Sequence, residues 1–195
     1  LQAFDAEVID LGTIGDDFES TREALAAAAE SADCIISTGG VSVGEEDHVK
    51  AAVEAEGSLD LWKLAIKPGK PLAAGKVGGT QFFGLPGNPV SAVITFLLLV
   101  RPCLLRMSGC DSLMPASFYL PAAFARPESG QRQEYLRVTV QAGEDSKQSL
   151  LPFNNQSSGV GSSLSGADGL AIIPAYTSVA MGDSLEYLPF SELLY

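Results

Sequence analysis

The spacing of hydrophobic residues changes once along this chain, near Gly109. Before that residue, short apolar runs alternate with longer segments in which apolar residues recur every three or four positions, a pattern typical of strands followed by helices. It predicts strands over residues 6–11, 34–38, 61–66 and 81–85, and helices over 16–31, 45–56 and 89–108. Such alternation predicts right-handed βαβ units and hence the α/β class, with three layers: a mostly parallel sheet between flanking helices.

Capping residues indicate where two of these helices begin. Asp16 and Glu19 have the spacing of a capping box, with the aspartate as the N-cap of the first helix. The inward face of that helix is predicted to carry the apolar residues Phe18, Leu25, Ala28, Ala29 and Ala32. Asn88 and Pro89 are predicted to open the last helix, as its cap and its first helical residue.

After Gly109 the pattern is that of a small β domain. Short strand candidates are separated by Gly, Pro and Asn residues, which favour turns. These candidates cover residues 117–124, 133–140, 149–153, 170–173 and 184–188. We therefore predict an α/β domain over residues 1–110 and an all-β domain over 115–195, a sheet or a barrel.

Composition excludes several classes of function. The 195 residues include 24 Asp and Glu against 12 Lys and Arg, a net charge of −12, which argues against general binding of nucleic acid or of an anionic membrane. The apolar run 90–100 is too short to span a bilayer, and we expect no signal peptide. Three cysteines without a CxxC spacing indicate reduced thiols in the cytosol, and the sole histidine, His48, excludes a His-rich metal site.

The charge is distributed unevenly. Residues 1–60 hold 15 carboxylates and two basic residues, and residues 111–195 hold nine carboxylates and four basic residues. Residues 61–110 hold six basic residues and no carboxylate. A basic block in an acidic protein suggests a local anion site, although a solvated face that balances the acidic segment explains the composition equally well.

Unusual residues follow each predicted strand of the α/β domain. In an open parallel sheet, ligands bind outside the carboxyl ends of the strands, so these loops are expected to converge on one site. The loops are 12–17, 37–47, 67–71 and 85–89, and each is rich in Gly, Pro, hydroxyl or charged residues. Lys70, Gly87 and Asn88 lie in them and are therefore candidate substrate-binding residues.

The loop 39–44 is predicted to bind a phosphate. Gly39, Gly40, Ser42 and Gly44 expose backbone N–H groups before a helix, whose N-terminus adds partial positive charge. The acids that follow, Glu45, Glu46 and Asp47, would complement the helix dipole, but three in a row beside a phosphate also suit a bridging Mg²⁺.

Residues 40–44 also match the G-x-S-x-G nucleophile elbow of α/β hydrolases. A hydrolase triad needs a histidine that reaches the serine, usually from late in the chain. His48 lies only one helical turn beyond Gly44, so we reject this interpretation.

Two lysines are predicted to share one face of the third strand. Lys63 and Lys67 alternate with apolar residues, and no carboxylate lies near them in sequence. Because a buried lysine without a partner is costly, we favour a pair of ammonium groups that line an anion pocket. The alternative is that both side chains reach solvent from an edge strand.

Three motifs in this order resemble the molybdopterin molybdenumtransferase family, MoeA, which includes the gephyrin E domain. They are STGGVSVGEED at residues 37–47, WKLAIKPGKP at 62–71 and FGLPGNPVSA at 83–92. The segment 156–170 is similar to the C-terminal β domain of that family. The resemblance implies a molybdopterin-binding fold that is followed by that β domain.

The resemblance also implies an activity and a set of site residues. The family inserts molybdate into adenylylated molybdopterin (molybdopterin-AMP), with Mg²⁺, and releases AMP. Its functional acids correspond to Asp47 and to Asp16 or Asp17, with Asp47 as the candidate Mg²⁺ ligand. The residues that correspond to its substrate site are Lys63, Lys67, Pro86 and Pro89, and with them Arg137, Ser157 and Ser158 from the β domain.

Two other functions remain as alternatives: a molybdopterin adenylyltransferase-like enzyme, and a non-catalytic scaffold of the gephyrin E type. The expected partners are small anionic substrates, a second copy in a homodimer of the full-length protein, and the adenylyltransferase of the preceding step. We expect no nucleic-acid or membrane partner and a cytosolic location. The family has two domains and a first sheet strand before this segment, so we expect these 195 residues alone to be inactive, and poorly soluble or dimeric.

Overall fold

The computed structural model describes residues 1, 4–40, 48–143 and 147–194, and the chain forms two compact units. The first unit comprises Leu1–Leu64 and Gly69–Phe96, and the second comprises Ala65–Pro68 and Leu97–Tyr195. The short segment Ala65–Pro68 thus belongs to the second unit, although both its neighbours in sequence belong to the first. The sequence-based domain limits, 1–110 and 115–195, stay a prediction.

Helices and strands alternate in the first part of the chain. In order they are α1 (Phe18–Ser31), β1 (Cys34–Thr38), α2 (His48–Glu56), β2 (Gly57–Lys63), β3 (Ile66–Lys67), β4 (Pro71–Val77), β5 (Thr80–Leu85) and α3 (Pro89–Thr95). All but β3 belong to the first unit, whose sheet has the order β1-β5-β4-β2. β1 and β5 pair in parallel, and the other two pairs are antiparallel, so β1, β5 and β2 run in one direction and β4 runs against them.

Helices α1 and α2 pack on one face of this sheet. The buried cluster consists of Leu25, Ala28, Ile35, Ala52, Val53, Ala73, Val77 and Phe82. The residues that alternate with these along β4 and β5 are buried as well, so both faces of the two central strands are covered: Leu72, Ala74, Phe83 and Leu85. The predicted α/β class is confirmed, as is the inward face of α1 at Leu25 and Ala28.

The strand predicted over residues 6–11 does not form. This segment has no regular structure, and its apolar side chains Val8, Ile9 and Leu11 are 43%, 53% and 49% exposed. A strand is stable only when its backbone groups pair with a neighbour, and β1, at the edge of the sheet, pairs with β5 alone among the described residues. The short apolar run was therefore a misleading signal here.

The limits predicted for the third strand, 61–66, are also wrong. β2 ends at Lys63, and the chain then turns, with Leu64 N donating to Lys70 O at 2.7 Å. β4 was not predicted at all, because its Pro71, paired alanines and Gly75 have low strand propensity. It forms because it lies between β2 and β5 and pairs with both.

The long helix begins where it was predicted, with Asn88 as N-cap and Pro89 in the first turn. It continues from α3 through a π-helical turn at Phe96–Val100 into α4 (Arg101–Met107). Pro102 lacks the N–H that would bond Leu98 O, which accounts for irregular winding just before it. By length and composition alone, Pro89–Met107 could cross a membrane, but core helices pass the same test, and Val90, Ile94, Leu97 and Val100 are buried.

The second unit is built on one sheet of short strands. After α4 its elements are β6 (Phe118–Pro121), β7 (Gln133–Ala142), β8 (Gln148–Pro152), α5 (Ser162–Ser165), β9 (Gly169–Ile173), β10 (Ser184–Pro189) and α6 (Phe190–Leu193). The strand order is β3-β7-β9-β10-β6, and β8 pairs with the far end of β7. All five strands predicted after Gly109 are confirmed. The sheet packs around Leu136, Val138, Leu150, Ala171, Ile173, Leu185 and Tyr187.

Candidate functional site

Two loops meet at the carboxyl end of the parallel pair β1 and β5. Gly39, directly after β1, donates its N–H to Leu85 O at 3.0 Å. Its φ of +84° and the +66° of Gly40 lie in the left-handed region, which glycine enters without steric cost. Consecutive residues of this kind turn the chain tightly where β1 ends, as the phosphate-loop prediction requires. The rest of that loop, with Ser42, Gly44 and Asp47, lies outside the described residues.

The second of these loops is the one that opens α3. Pro86 is buried, whereas Gly87, Asn88 and Pro89 are exposed. A Cβ atom on Gly87 would lie 3.7 Å from Gly39 Cα, so the two loop backbones are close neighbours. The predicted convergence of strand-end loops is therefore confirmed for the loops after β1 and β5.

Lys63 lies at the same carboxyl end of the sheet, because it is the last residue of β2, which runs in the same direction as β1 and β5. Its side chain is exposed, as is that of Lys70 in the following turn. At this end of its sheet, the described part of the first unit thus presents glycine-rich backbone and the exposed ammonium groups of Lys63 and Lys70. Both are suited to an anionic ligand.

Asp16 and Asp17 are exposed, and Asp17 caps α1. Its Oδ1 accepts the Ser20 N–H at 2.8 Å, and this backbone hydrogen bond is the main reason why the pKa of Asp17 lies below its usual value. The predicted capping box of Asp16 and Glu19 is therefore wrong by one position. Helix α1 begins at Phe18, two residues later than predicted, so the cap moves to Asp17.

The prediction that Lys63 and Lys67 share one strand and lack a carboxylate partner is wrong. Lys63 ends β2 in the first unit, whereas Lys67 lies on β3 in the second. Lys67 Nζ lies 3.1 Å from Glu134 Oε1 on β7. The partner is 67 residues away along the chain, so local sequence could not reveal it.

Glu134 is the centre of a small charged cluster in the second unit. Only 6% of the residue is exposed; its Oε1 contacts Lys67, and its Oε2 accepts a hydrogen bond from Arg126 Nη2. Lys67, Arg132 and Glu134, with Gly130 and Gln131, line a cleft of about 280 Å³. Sequence reasoning missed this cluster. The available signal was a glutamate in line with Leu136 and Val138 on the buried face of β7.

Arg137 is fully buried in the second unit. Its Nη2 donates to Asn155 O at 3.1 Å and to Ser157 O at 3.3 Å, whereas Nε and Nη1 have no hydrogen-bond partner among the described residues. Burial lowers the pKa of this guanidinium. Arg137 thus holds the loop that carries Ser157 and Ser158, and the structure brings these three predicted residues together.

The described residues do not form a metal site by themselves. Among them, no group of three or more His, Cys, Asp and Glu side chains is placed to hold a metal ion. The carboxylate of Asp17 is already engaged as a helix cap. The predicted Mg²⁺ ligand Asp47 lies outside the described residues, and the roles assigned to individual site residues stay predictions.

Both parts of the chain match models of known protein families. Residues 1–106 match the family described as "Probable molybdopterin binding domain", and residues 119–190 match "MoeA C-terminal region (domain IV)".

Individual relatives agree with these matches. A molybdopterin molybdenumtransferase of Haemophilus influenzae is 50% identical over 109 residues, which cover 56% of this chain and 27% of the relative. Molybdopterin molybdenumtransferase 2 of Mycobacterium tuberculosis is 33% identical over 190 residues, 93% of this chain and 46% of the relative. The crystal structure of a molybdopterin biosynthesis MoeA protein from Pyrococcus horikoshii superposes with a TM-score of 0.71 at 29% identity, covering 92% of this chain and 42% of that one. The chain thus spans less than half the length of each of these relatives.

Proposed function

Because this chain belongs to the molybdopterin molybdenumtransferase family, we propose that it is the part of a longer protein that binds molybdopterin-AMP and molybdate. The protein inserts the metal into the dithiolene of the pterin and releases AMP. The observation that carries this proposal is the pair of adjoining loops after β1 and β5. They lie within the region that matches a molybdopterin-binding domain.

Each part of the described structure has a task in this proposal. Backbone N–H groups of the loop that begins at Gly39 and Gly40 bind a phosphate of the substrate, and the exposed Lys70 balances its charge, while Lys63 contacts molybdate. In the second unit, Lys67 contacts the molybdate oxyanion, and Arg137 orders the loop with Ser157 and Ser158. Pro86, Gly87, Asn88 and Pro89 shape the floor beneath the phosphate loop.

Mg²⁺ is part of the proposal through Asp47 alone. A divalent cation between this carboxylate and phosphate oxygens would offset the repulsion between the acids that follow the loop and the anionic substrate. If Asp47 holds the ion, Asp47→Asn raises the Mg²⁺ concentration needed for half-maximal AMP release and leaves the melting temperature within a few degrees. An unchanged Mg²⁺ requirement would contradict this assignment.

The two alternative functions, an adenylyltransferase and a scaffold, are not equally compatible with the structure. An adenylyltransferase would need the pterin-binding unit alone, so the second unit, which matches the MoeA C-terminal region, disfavours it. A scaffold role remains compatible with the fold, as a separate or an added function. It would require a peptide partner, which titration with candidate receptor segments would detect.

AMP release by the full-length protein that contains this chain tests the proposal. We expect release from molybdopterin-AMP to depend on molybdate and to be lost in the Lys63→Ala, Lys67→Ala double variant, while binding of the pterin substrate persists. Each charge-assisted contact that is removed should weaken molybdate use by about 1.5–3 kcal/mol. Molybdate dependence that is unchanged in the double variant would refute the role of the lysines.

Three further points belong to the proposal. We expect a homodimer of the full-length protein, measurable by light scattering; the exposed apolar side chains of residues 6–14 supply surface that such an assembly could cover. The adenylyltransferase is the expected supplier of the substrate. We also expect a reducing, cytosolic location, because the three cysteines show no CxxC spacing.

A further inference from the structure

Glu134 and Lys67 face each other across two paired strands. β3 and β7 run parallel, and Lys67 is directly opposite Glu134 in their register. The strand pair is short, but it is extended by Gln133 N, which donates to Ala65 O at 2.9 Å. The backbone of Lys67 is therefore fixed next to β7, and the position of its ammonium group depends on what its side chain contacts.

The contact that it makes joins an exposed lysine to a buried carboxylate. The Lys67 side chain is 51% exposed, and a mobile side chain of this kind rarely keeps one geometry in water. The Glu134 side chain is only 8% exposed, and both of its oxygens are engaged. A buried carboxylate is stable only when it is paired and hydrogen-bonded, so Glu134 has a strong requirement for its two cations.

Arg126 supplies the second cation from the other side. The backbone of Arg126 is held in place by two hydrogen bonds: its N–H donates to Val179 O at 2.8 Å, and Val179 N donates to Arg126 O at 3.0 Å. Because Arg126 offsets the charge of Glu134, the carboxylate can hold Lys67 without cancelling its positive charge. Lys67 and Arg126 carry two positive charges against the single negative charge of Glu134, and Arg132 adds a further positive charge to the lining of the cleft.

We propose that Glu134 is a positioning residue, which fixes the ammonium group of Lys67 at the rim of the cleft for an incoming oxyanion, while Arg126 offsets the carboxylate. This rests on the proposed function, in which Lys67 contacts molybdate. Glu134 itself does not contact the substrate. It acts through the orientation of Lys67, so its removal affects the use of molybdate and not the binding of the pterin.

Two variants test whether the position of the Glu134 carboxylate acts through Lys67. Glu134→Asp keeps the negative charge but withdraws the carboxylate by one methylene group, and Lys67→Met removes the group that is positioned. In the full-length protein, Glu134→Asp is expected to raise the KM for molybdate about tenfold and to leave the KM for molybdopterin-AMP unchanged. In a Lys67→Met background, Glu134→Asp should change the molybdate KM less than twofold. An unchanged molybdate KM, or an equal change in both backgrounds, would overturn the proposal.

A second measurement does not depend on activity. The rate at which acetic anhydride acetylates Lys67, followed by mass spectrometry, should rise several-fold in both Glu134→Asp and Glu134→Gln, with the exposed Lys70 as internal reference. Equal Lys67 rates in the wild type and both variants would overturn the positioning of Lys67. If the wild type releases no AMP but Lys67 acetylation rises in the variants, the proposed function is wrong and the contact itself stands. If Glu134→Asp does not fold, Glu134→Gln takes its place in the kinetic series, with the same expected coupling to Lys67.

Discussion

The side chain of Gln156 pairs in both directions with the backbone of Arg137. Arg137 N donates to Gln156 Oε1 at 3.2 Å, and Gln156 Nε2 donates to Arg137 O at 2.8 Å and to Phe153 O at the same distance. β8 pairs with β7 from Val138 onward, and Phe153 N still donates to Arg137 O at 2.8 Å, so the Gln156 amide supplies the acceptor that Arg137 N would otherwise lack on this side. A side chain therefore extends the sheet at the point where the loop with Ser157 begins.

Replacement of this amide should destabilise the second unit. Gln156→Ala leaves Arg137 N without its acceptor, and a buried donor without a partner costs about 1–3 kcal/mol of the free energy of unfolding. Asn154→Ala, an exposed position in the same loop, should change that free energy by less than about 0.5 kcal/mol. Urea denaturation measures both variants, and equal stabilities would show that the Gln156 contacts are of no consequence.

Two glycines that lie close together are expected to differ in their tolerance of alanine. Gly39 has open space around it, but its φ of +84° makes Gly39→Ala unfavourable by about 1–2 kcal/mol. Gly87 does not have a left-handed φ, and its added methyl group would make an ordinary contact at 3.7 Å, so Gly87→Ala should alter stability by less than about 0.5 kcal/mol. Thermal denaturation of the two variants provides the comparison, and a reversed order of stability would contradict the left-handed backbone conformation of Gly39.

Asp17 and Asp16 provide a direct test of the helix start. Asp17→Ala removes the cap of α1 and should lower the melting temperature by a few degrees, whereas Asp16→Ala should not. The pKa of Asp17 is depressed in the folded state, so its contribution to stability is complete above the usual aspartate pKa and is lost as the pH falls through the lower, folded value. The difference between wild type and Asp17→Ala should therefore shrink below about pH 4. A difference that persists at pH 2 would mean that the carboxylate charge is not involved.

The pKa of Tyr187 predicts how the stability of the second unit changes at high pH. Burial, together with the nearby Asp168, raises its pKa to about 12. Because the folded value exceeds the usual value of about 10, the stability linked to this proton is complete below pH 10 and is lost as the pH rises toward 12. The ultraviolet absorbance of tyrosinate should show a late-titrating group in the wild type that is missing from Tyr187→Phe. A titration with all groups near pH 10 in both proteins would contradict the burial of this phenol.

Local sequence was sufficient wherever the signal was itself local. The start of the long helix at Asn88 and Pro89, the inward face of α1 and the strands after Gly109 all follow from short-range spacing and turn residues. The tight turn at Gly39 and Gly40 was also visible, because glycines after a buried strand are a local feature.

The remaining features depend on contacts between distant parts of the chain. The apolar segment 6–11 looked like a strand, yet no described neighbour pairs with it, while the weak strand former β4 is stabilised between two partners. Lys67 seemed to lack an acid because Glu134 lies 67 residues further on. The contacts of the Arg137 guanidinium and of the Gln156 amide likewise form only when β7 and the loop after β8 are folded together.

Because Ala65–Pro68 belongs to the second unit, the chain is difficult to divide or to recombine with a relative. No single cut in the chain yields both units whole, because a break after Phe96 leaves β3 with the wrong fragment and exposes the edge of β7 that it covers. Exchange of segments with a relative meets the same obstacle. Any crossover between codons 67 and 134 separates the lysine from its glutamate, so chimaeras joined there should keep the parental KM for molybdate only when both parents carry the same ion pair.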